Sequence, residues 1–360
     1  MTKVRTEQLW DARFIKTMKM LAPGSPLREG LENILRAKMG VLVLVGDSPQ
    51  ILSVVDGGFA LKCEYSPAGF YELAKMDGAL VLSSDVKRIL YANAQLIPDP
   101  SGITSETGTR HRTAERAARQ TGTLVIAISQ RRNIIAIYLG NLRYTLKDIS
   151  VILNSANQAL QTLEKYKTVL MKGLSTLSAL EFEDLVTLED VAAVLIRAEH
   201  VVRISREIKQ NIIELGLEGR LVNMQMEEIM PDVDNVQLLI KDYCAAQDGK
   251  VFELAREQVA SLPEESLEAY NICRILGYGV TPSVIDLPIV PRGYRVLQQV
   301  RRLPLPVVEK IVSRFKTLQR IHNATIAELD EVEGIGEVRA KIIKEGLKRV
   351  REQALLDGAL

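Results

Sequence analysis

The sequence predicts a multidomain α/β plus all-α protein, with an N-terminal mixed-sheet α/β domain, a helical middle domain and a C-terminal helix-hairpin-helix domain. Three observations predict it. Short β-branched apolar runs alternate with helical segments up to residue 146, and apolar residues then recur at helical spacing to residue 290. From Pro291 onward, Pro and Gly turn signals break the chain into short helices of basic character. A chain of 360 residues exceeds what one compact core holds, so domains at 1–146, 147–290 and 291–360 are expected.

In the first block, residues 40–45, 79–82, 123–128 and 134–138 read as buried strands. Ser66-Pro67 reads as an N-cap with proline at the first helical position, opening a helix through Met76. Residues 112–120 have helical composition and stop at Gly122, a natural C-terminal glycine.

The second block predicts helices over 149–177, 188–215, 222–230 and 235–246. Ile152, Leu153, Ala156, Leu160, Leu163, Tyr166 and Leu170 form its first apolar stripe, which suits either a core or a contact between copies. In the third block, residues 294–301 and 307–315 read as helices around a Leu303-Pro-Leu-Pro306 turn. Thr325-Ile-Ala-Glu328 is a capping box, Gly334-Ile335-Gly336 a hairpin, and residues 338–350 the last helix.

Bulk properties narrow the function. The longest apolar runs are strand-sized, far short of the ~20 residues of a membrane span, so no membrane association is expected. No apolar stretch near the N-terminus reads as a signal peptide. Cys63, Cys244 and Cys273 are unclustered and odd in number, as for buried reduced thiols of a cytosolic protein. Net charge is +1 overall, but residues 291–360 carry 14 Lys/Arg against 9 Asp/Glu, leaving the remainder at 32 against 36. A basic tail on a mildly acidic body points to a polyanion at the tail alone.

Chemistry concentrates in three places. Gly334 and Gly336 let the hairpin backbone bring amides close to a phosphate, and the helix that follows adds its positive end. Lys341 and Lys344 add charge, and no base-reading Arg/Asn/Gln face is present. The second place is Met76-Asp77-Gly78-Ala79. There an acid at the mouth of a sheet suits Mg²⁺ or Mn²⁺ beside a phosphate, although Asp-Gly is also a common turn dipeptide. The third is Gly108-Thr-Arg-His-Arg-Thr113, placed directly before a helix at 114–120. Two guanidiniums, an imidazole and two hydroxyls there favour an anion over a solvated turn.

The run Tyr71-Glu-Leu-Ala-Lys-Met-Asp-Gly-Ala79, the triplet Arg110-His-Arg112 and Gly57-Gly58-Phe59 together resemble the diadenylate cyclase domain. Val332-Glu-Gly-Ile-Gly-Glu-Val-Arg-Ala340 resembles the helix-hairpin-helix of DNA repair proteins. The whole chain is thus similar to the family of DNA-integrity-scanning diadenylate cyclases of bacteria. That resemblance implies condensation of two ATP into cyclic di-AMP with release of two pyrophosphates, lowered by backbone-directed binding of branched or damaged DNA. It implies that Asp77 holds Mg²⁺ or Mn²⁺, and that Gly78 and Ala79 lie against the nucleotide. Thr109, Arg110, His111, Arg112 and Thr113 would hold the triphosphate, and Leu96 would contact adenine through its backbone. Ser129 would be a further phosphate-side group, with an ordinary strand-end role as the alternative. It also implies an octamer in the cytoplasm, associated with the nucleoid, since two nucleotide sites must face each other. The rival readings are a non-enzymatic DNA-structure-binding scaffold with a nucleotide-binding domain, and a nuclease or other nucleotidyltransferase. A nuclease would want clustered carboxylates, which Asp77 lacks nearby in sequence.

Overall fold

The computed structural model describes residues 10–230, 237–246, 248–279, 285–301 and 303–358. They fall into two compact units: residues 1–158 with 208–223, and residues 159–207 with 224–360.

The first unit is built on a mixed sheet. Its strands are β1 (Leu42–Val45), β2 (Val55–Asp56), β3 (Phe59–Glu64), β4 (Ala79–Leu82), β5 (Arg88–Leu96), β6 (Leu124–Ser129), β7 (Ile134–Leu139) and β8 (Leu142–Thr145). Their order is β2-β5-β4-β1-β6-β7-β8, with β3 also on β5. Among the described residues, β1 and β4 are the only hydrogen-bonded neighbours that run parallel. Helices α1 (Ala12–Met20), α2 (Pro26–Arg36), α3 (Pro49–Leu52), α4 (Pro67–Leu73) and α5 (Thr109–Thr121) complete this unit's α/β part.

Both faces of the central strands are covered. Phe14, Leu31, Ile34 and Phe70, from α1, α2 and α4, pack with Val43, Leu80, Ile126 and Ile137. Ala114, Ala117 and Ala118 of α5 pack with Leu44, Val81, Val125 and Ala136 on the other face. Double burial explains why these strands read as continuous apolar runs with no alternation.

Sequence cues locate the elements with small shifts. The Ser66 hydroxyl accepts from the Gly69 amide at 3.1 Å, but α4 ends at Leu73 and not Met76. There the chain tightens into turns, with Lys75 and Met76 donating to Glu72 and Leu73 carbonyls three residues back. Gly122 ends α5 with φ +66, as expected of a C-terminal glycine. β2, β3, β5 and β8 escaped the sequence reading. β3 is exposed along its length, and β5 is interrupted by a bulge at Asn93, which has φ +51. Cys63 on β3 is accordingly exposed, against expectation, whereas Cys244 and Cys273 are buried.

Two long helices, α6 (Ile149–Glu183) and α7 (Leu188–Leu215), contribute to both units. Gly173 does not end α6, because the helix continues through it with the Arg197 side chain filling the space beside its Cα. Ile152, Ala156, Leu160, Leu163 and Leu170 are buried, so that stripe is core. The exposed apolar residues of α6 are Val151, Tyr166, Val169 and Met171. Then come α8 (Arg220–Ile229), α9 (Leu238–Tyr243), α10 (Gly249–Ser261) and α11 (Ala269–Ile275). The helix expected over 235–246 is described only from residue 237, and α10 and α11 were not anticipated.

The C-terminal helices are α12 (Tyr294–Gln298), α13 (Leu305–Phe315), α14 (Leu318–Asn323), α15 (Ile326–Asp330) and α16 (Glu337–Gly358). The expected turn at 303–306 is shorter than predicted. Pro304 caps α13 and Pro306 sits in its first turn, where a missing N–H leaves no helical bond unmade. The Thr325 capping box forms as predicted, with the Glu328 amide on the Thr325 hydroxyl at 3.2 Å and the Thr325 amide on Glu328 Oε2 at 2.7 Å.

A buried polar joint fixes this block on the helices of its own unit. Asp242 of α9 accepts from the amides of Gly293, Tyr294 and Arg295 at 2.6–2.9 Å, capping α12 from a distance in sequence. Arg295 pairs with Glu181 of α6, and the Tyr243 hydroxyl donates to the same carboxylate at 2.6 Å. Arg295→Leu would strand a fully buried carboxylate and is expected to lower unfolding stability by about 3–5 kcal/mol in urea titrations. Adding Glu181→Leu is expected to restore more than half of that loss, because both charges are then gone.

Candidate functional site

Strand register brings the N-terminal candidates to one end of the sheet. Leu42 of β1 pairs with Ala79 of β4 and with Ala127 of β6, and Ala79 pairs with Ala94 of β5. Two residues outward from these partners stand Gly40, Asp77, Ser129 and Leu96. α5 returns directly into β6 through Gly122, so its N-terminus lies at the end where β6 finishes. Arg110 confirms this placement: its guanidinium lies over Gly40, where a Cβ would come within 2.9 Å of its Cζ.

α5 starts three residues earlier than predicted. Gly108 is the N-cap, with extended φ −83° and ψ 141°, so Thr109 to Thr113 form the opening turns of the helix itself. The consequence is directional. Thr109 and Arg112 are exposed, Arg110 and Thr113 half-buried, and His111 turns inward.

Asp77 is exposed in the loop between α4 and β4. Among the described residues no group of three or more His, Cys, Asp or Glu could enclose a metal ion. One exposed carboxylate fits a hard cation such as Mg²⁺ or Mn²⁺, whose remaining ligands are phosphate oxygens and water. It does not fit an all-protein cage. Gly78 has φ +96°, and a Cβ there would stand 2.8 Å from the Ala94 carbonyl oxygen. Gly58, at φ +80°, meets the same stretch of β5 at 2.7–2.9 Å. Both glycines therefore have a backbone reason to be glycine, because they close on the Asn93 bulge. Ala79 is buried as the first residue of β4, and Leu96 pairs with Val55 at the end of β5. The Ser129 hydroxyl accepts from the Arg132 amide at 3.2 Å and so closes the β6–β7 turn.

His111 lies at the centre of a network the sequence did not reveal. Its Nδ1 is 2.9 Å from the Tyr138 hydroxyl, which donates to Glu106 Oε1 at 2.9 Å. Glu106, 8% exposed, is paired with Arg143 at 2.6 Å and Arg132 at 3.7 Å. The negative charge expected beside Arg-His-Arg is therefore supplied partly by the chain. Burial lowers the His111 pKa below 6.5; Glu106 opposes this, and Arg132, Arg143 and Arg110 reinforce it. Burial likewise raises the Tyr138 hydroxyl, keeping its proton in place. Glu106 gave no sequence signal. Tyr138 gave one: it is the only polar group in a buried strand, and a buried hydroxyl needs a partner.

The C-terminal hairpin stands in the other unit. Gly334 has φ +88°, and a Cβ at Gly334 or Gly336 would meet nothing within 4 Å, so the hairpin backbone faces open space. The Ala340 amide donates to the Gly336 carbonyl, which makes Gly336 the cap of α16 and leaves the amides of Glu337, Val338 and Arg339 at the helix mouth. Ile335 is 5% exposed, an anchor in the core of this block whose side chain faces away from solvent. Lys341 pairs with Glu337 at 2.6 Å, and Lys344 donates to the His322 carbonyl at 2.6 Å.

Residues 28–142 match the family profile described as DisA bacterial checkpoint controller nucleotide-binding. Residues 146–285 match the DisA bacterial checkpoint controller linker region. The chain is 56% identical over 345 residues to the DNA integrity scanning protein DisA of Carboxydothermus hydrogenoformans, covering 95% of this chain and 98% of that one. The chain belongs to the DisA family. Its likeness to the DisA proteins of Acetivibrio thermocellus (51%, 96% of this chain and 97% of that one) and Symbiobacterium thermophilum (54%, 96% and 98%) has the same extent. Membership of the DisA family makes the first unit's sheet domain a nucleotide-binding domain of the diadenylate cyclase type. Among the described residues no helix is long and apolar enough to cross a membrane.

The depressed His111 pKa has a sign that can be read in solution. Between the folded value and 6.5 the unfolded chain binds a proton that the folded chain refuses, so this contribution is complete above pH 6.5 and declines below it. Thermal unfolding from pH 7.5 to 5.5 is expected to show a loss of at most about 1.4 kcal/mol per pH unit from this group. His111→Gln is expected to remove that part of the slope.

Proposed function

We propose that the chain is a diadenylate cyclase, joining two ATP into cyclic di-AMP and two pyrophosphates, with its C-terminal hairpin gripping DNA backbone and lowering the synthesis. The observation that carries this reading is the convergence of Asp77, Gly78, Leu96, Ser129 and the opening turns of α5 on one sheet end. Thr109, Arg110, Arg112 and Thr113 receive the triphosphate at the positive end of a 13-residue helix, and His111 of the same turns meets the nucleotide beside them. Leu96 meets adenine through its backbone, on the far side of β4 and β1. Asp77 holds Mg²⁺ or Mn²⁺, which when bound lowers the pKa of the attacking hydroxyl and draws charge from the phosphate.

In each half-reaction a ribose 3′-oxygen forms a bond to the α-phosphorus of the other ATP, the bond to pyrophosphate breaks, and the hydroxyl proton passes to solvent water. The exposed Arg112 and half-buried Arg110 offset the charge that gathers on the leaving group. One chain offers one such sheet end, so two copies must face each other. A homo-oligomer, an octamer by resemblance to the family, meets that need, with the exposed apolar residues of α6 as contact candidates. The cytoplasm, at the nucleoid, is the compartment this reading implies.

At the tail, the hairpin offers backbone amides and no base-reading face, which suits branched or damaged DNA of any sequence. Glu337 offsets the charge of Lys341, and Lys344 already spends one of its three donors on the His322 carbonyl, so the amides at the mouth of α16 make the primary contact.

Incubation of the purified chain with ATP and Mg²⁺ or Mn²⁺ is expected to give cyclic di-AMP by mass spectrometry. Asp77→Asn is expected to reduce the rate by at least about a hundredfold while DNA affinity stays unchanged. Full activity in that variant would remove the metal role of Asp77. Replacing Gly334 and Gly336 with Val is expected to weaken DNA binding at least about tenfold, to spare basal synthesis and to abolish inhibition by DNA. Persistent inhibition in that variant would place the sensor elsewhere.

A further inference from the structure

The Glu106–Tyr138–His111 chain of contacts holds more information than its residues do singly. Tyr138 has one hydroxyl proton, and an ionised carboxylate can only accept, so that proton points to Glu106 at 2.9 Å. The same oxygen faces His111 Nδ1 at 2.9 Å and must there be the acceptor. His111 therefore carries its proton on Nδ1. Its Nε2 is buried and without a hydrogen-bond partner. The Cδ2 edge of the ring stands 4.0 Å from where a Cβ of Gly108 would be, so the Nε2 side faces the opening turn of α5.

We infer that Tyr138 and Glu106 are positioning residues that lock His111 as the Nδ1–H tautomer, so that Nε2 offers a lone pair to a ribose hydroxyl of the bound nucleotide. This rests on the nucleotide reading of the sheet end given above. Phosphate oxygens cannot be the partner of a neutral Nε2, because both would be acceptors. ATP carries donors only on its ribose hydroxyls and its adenine amino group. Adenine at Leu96 lies about 14 Å from β6, three strand spacings away, which leaves the ribose. His111 thereby differs from its neighbours: Arg110 and Arg112 serve the phosphates, and His111 orients the sugar. Arg143 and Arg132 pair with Glu106 at 2.6 and 3.7 Å, and so complete the relay.

¹⁵N-histidine labelling of the full chain reads this directly, because it holds only three histidines and His200→Gln and His322→Gln variants assign the signal of His111. The parent chain is expected to show a neutral His111 protonated on Nδ1, and its Nε2 signal is expected to move when ATP binds. Tyr138→Phe is expected to shift the proton toward Nε2. It is expected to lower kcat for cyclic di-AMP about 10- to 100-fold, with KM for ATP within about threefold of the parent. Glu106→Gln leaves Tyr138 an acceptor oxygen and is expected to keep the Nδ1–H signal and more of the rate. A bare Nδ1 in the parent, an Nε2 signal indifferent to bound ATP, or parental tautomer and rate in Tyr138→Phe would each overturn the inference. The parent tautomer and its response to ATP decide the matter even where Tyr138→Phe does not fold. The tautomer is read without nucleotide, so failure of the parent chain to make cyclic di-AMP is a separate result that defeats only the reaction.

Discussion

β1 is hydrogen-bonded on one side to β4 and on the other to β6, and all four of its residues are out of water. That double burial is the constraint on which the N-terminal unit depends. With helices on both faces, the strands can present chemistry only where they end, and loops there are free to carry polar groups. The parallel pairing of β1 with β4 sets the Gly40 and Asp77 levels side by side. The antiparallel returns of β5 and β6 bring Leu96 and Ser129 to the same row. Residues scattered over more than fifty positions of sequence thus become neighbours through register alone.

Much of this was legible in the sequence because the deciding signals were local. Apolar runs such as Leu42–Val45 and Ala79–Leu82 mark buried strands, and Ser66, Gly122 and Thr325 mark helix ends through their own hydrogen-bonding or backbone chemistry. What stayed hidden was long-range. β5 loses its alternation at the Asn93 bulge, and the bulge is explained only by Gly58 and Gly78 closing on it from distant parts of the chain. The α5 start was placed late because Thr109 and Arg110 read as loop chemistry, while Gly108 caps the helix without a side chain. Glu106 is a lone acid in a polar loop, and nothing local predicts that it reaches Tyr138, Arg132 and Arg143.

The C-terminal block shows the same division between local and distant causes. Gly334 and Gly336 are open to solvent, and Ile335 between them anchors the hairpin in the core. The lysines that seemed ready for phosphate are already engaged with Glu337 and with the end of α14. Firm seating of this block comes from Asp242, Glu181 and Arg295, three buried ionisable groups that propensity and patterning do not announce. The hairpin thus stands on a rigid mount, since α12 cannot shift without disturbing the Asp242 contacts and the Arg295–Glu181 pair to α6.

The proposed nucleotide site is one sheet end of the N-terminal unit. The most direct test is an experimental structure of the chain with 3′-deoxy-ATP and Mg²⁺, a substrate lacking the attacking hydroxyl. Adenine is expected beside the Leu96 backbone, the triphosphate on the opening turns of α5 and the cation on Asp77. Nucleotide bound at any other place in the chain, with that sheet end empty, would contradict it.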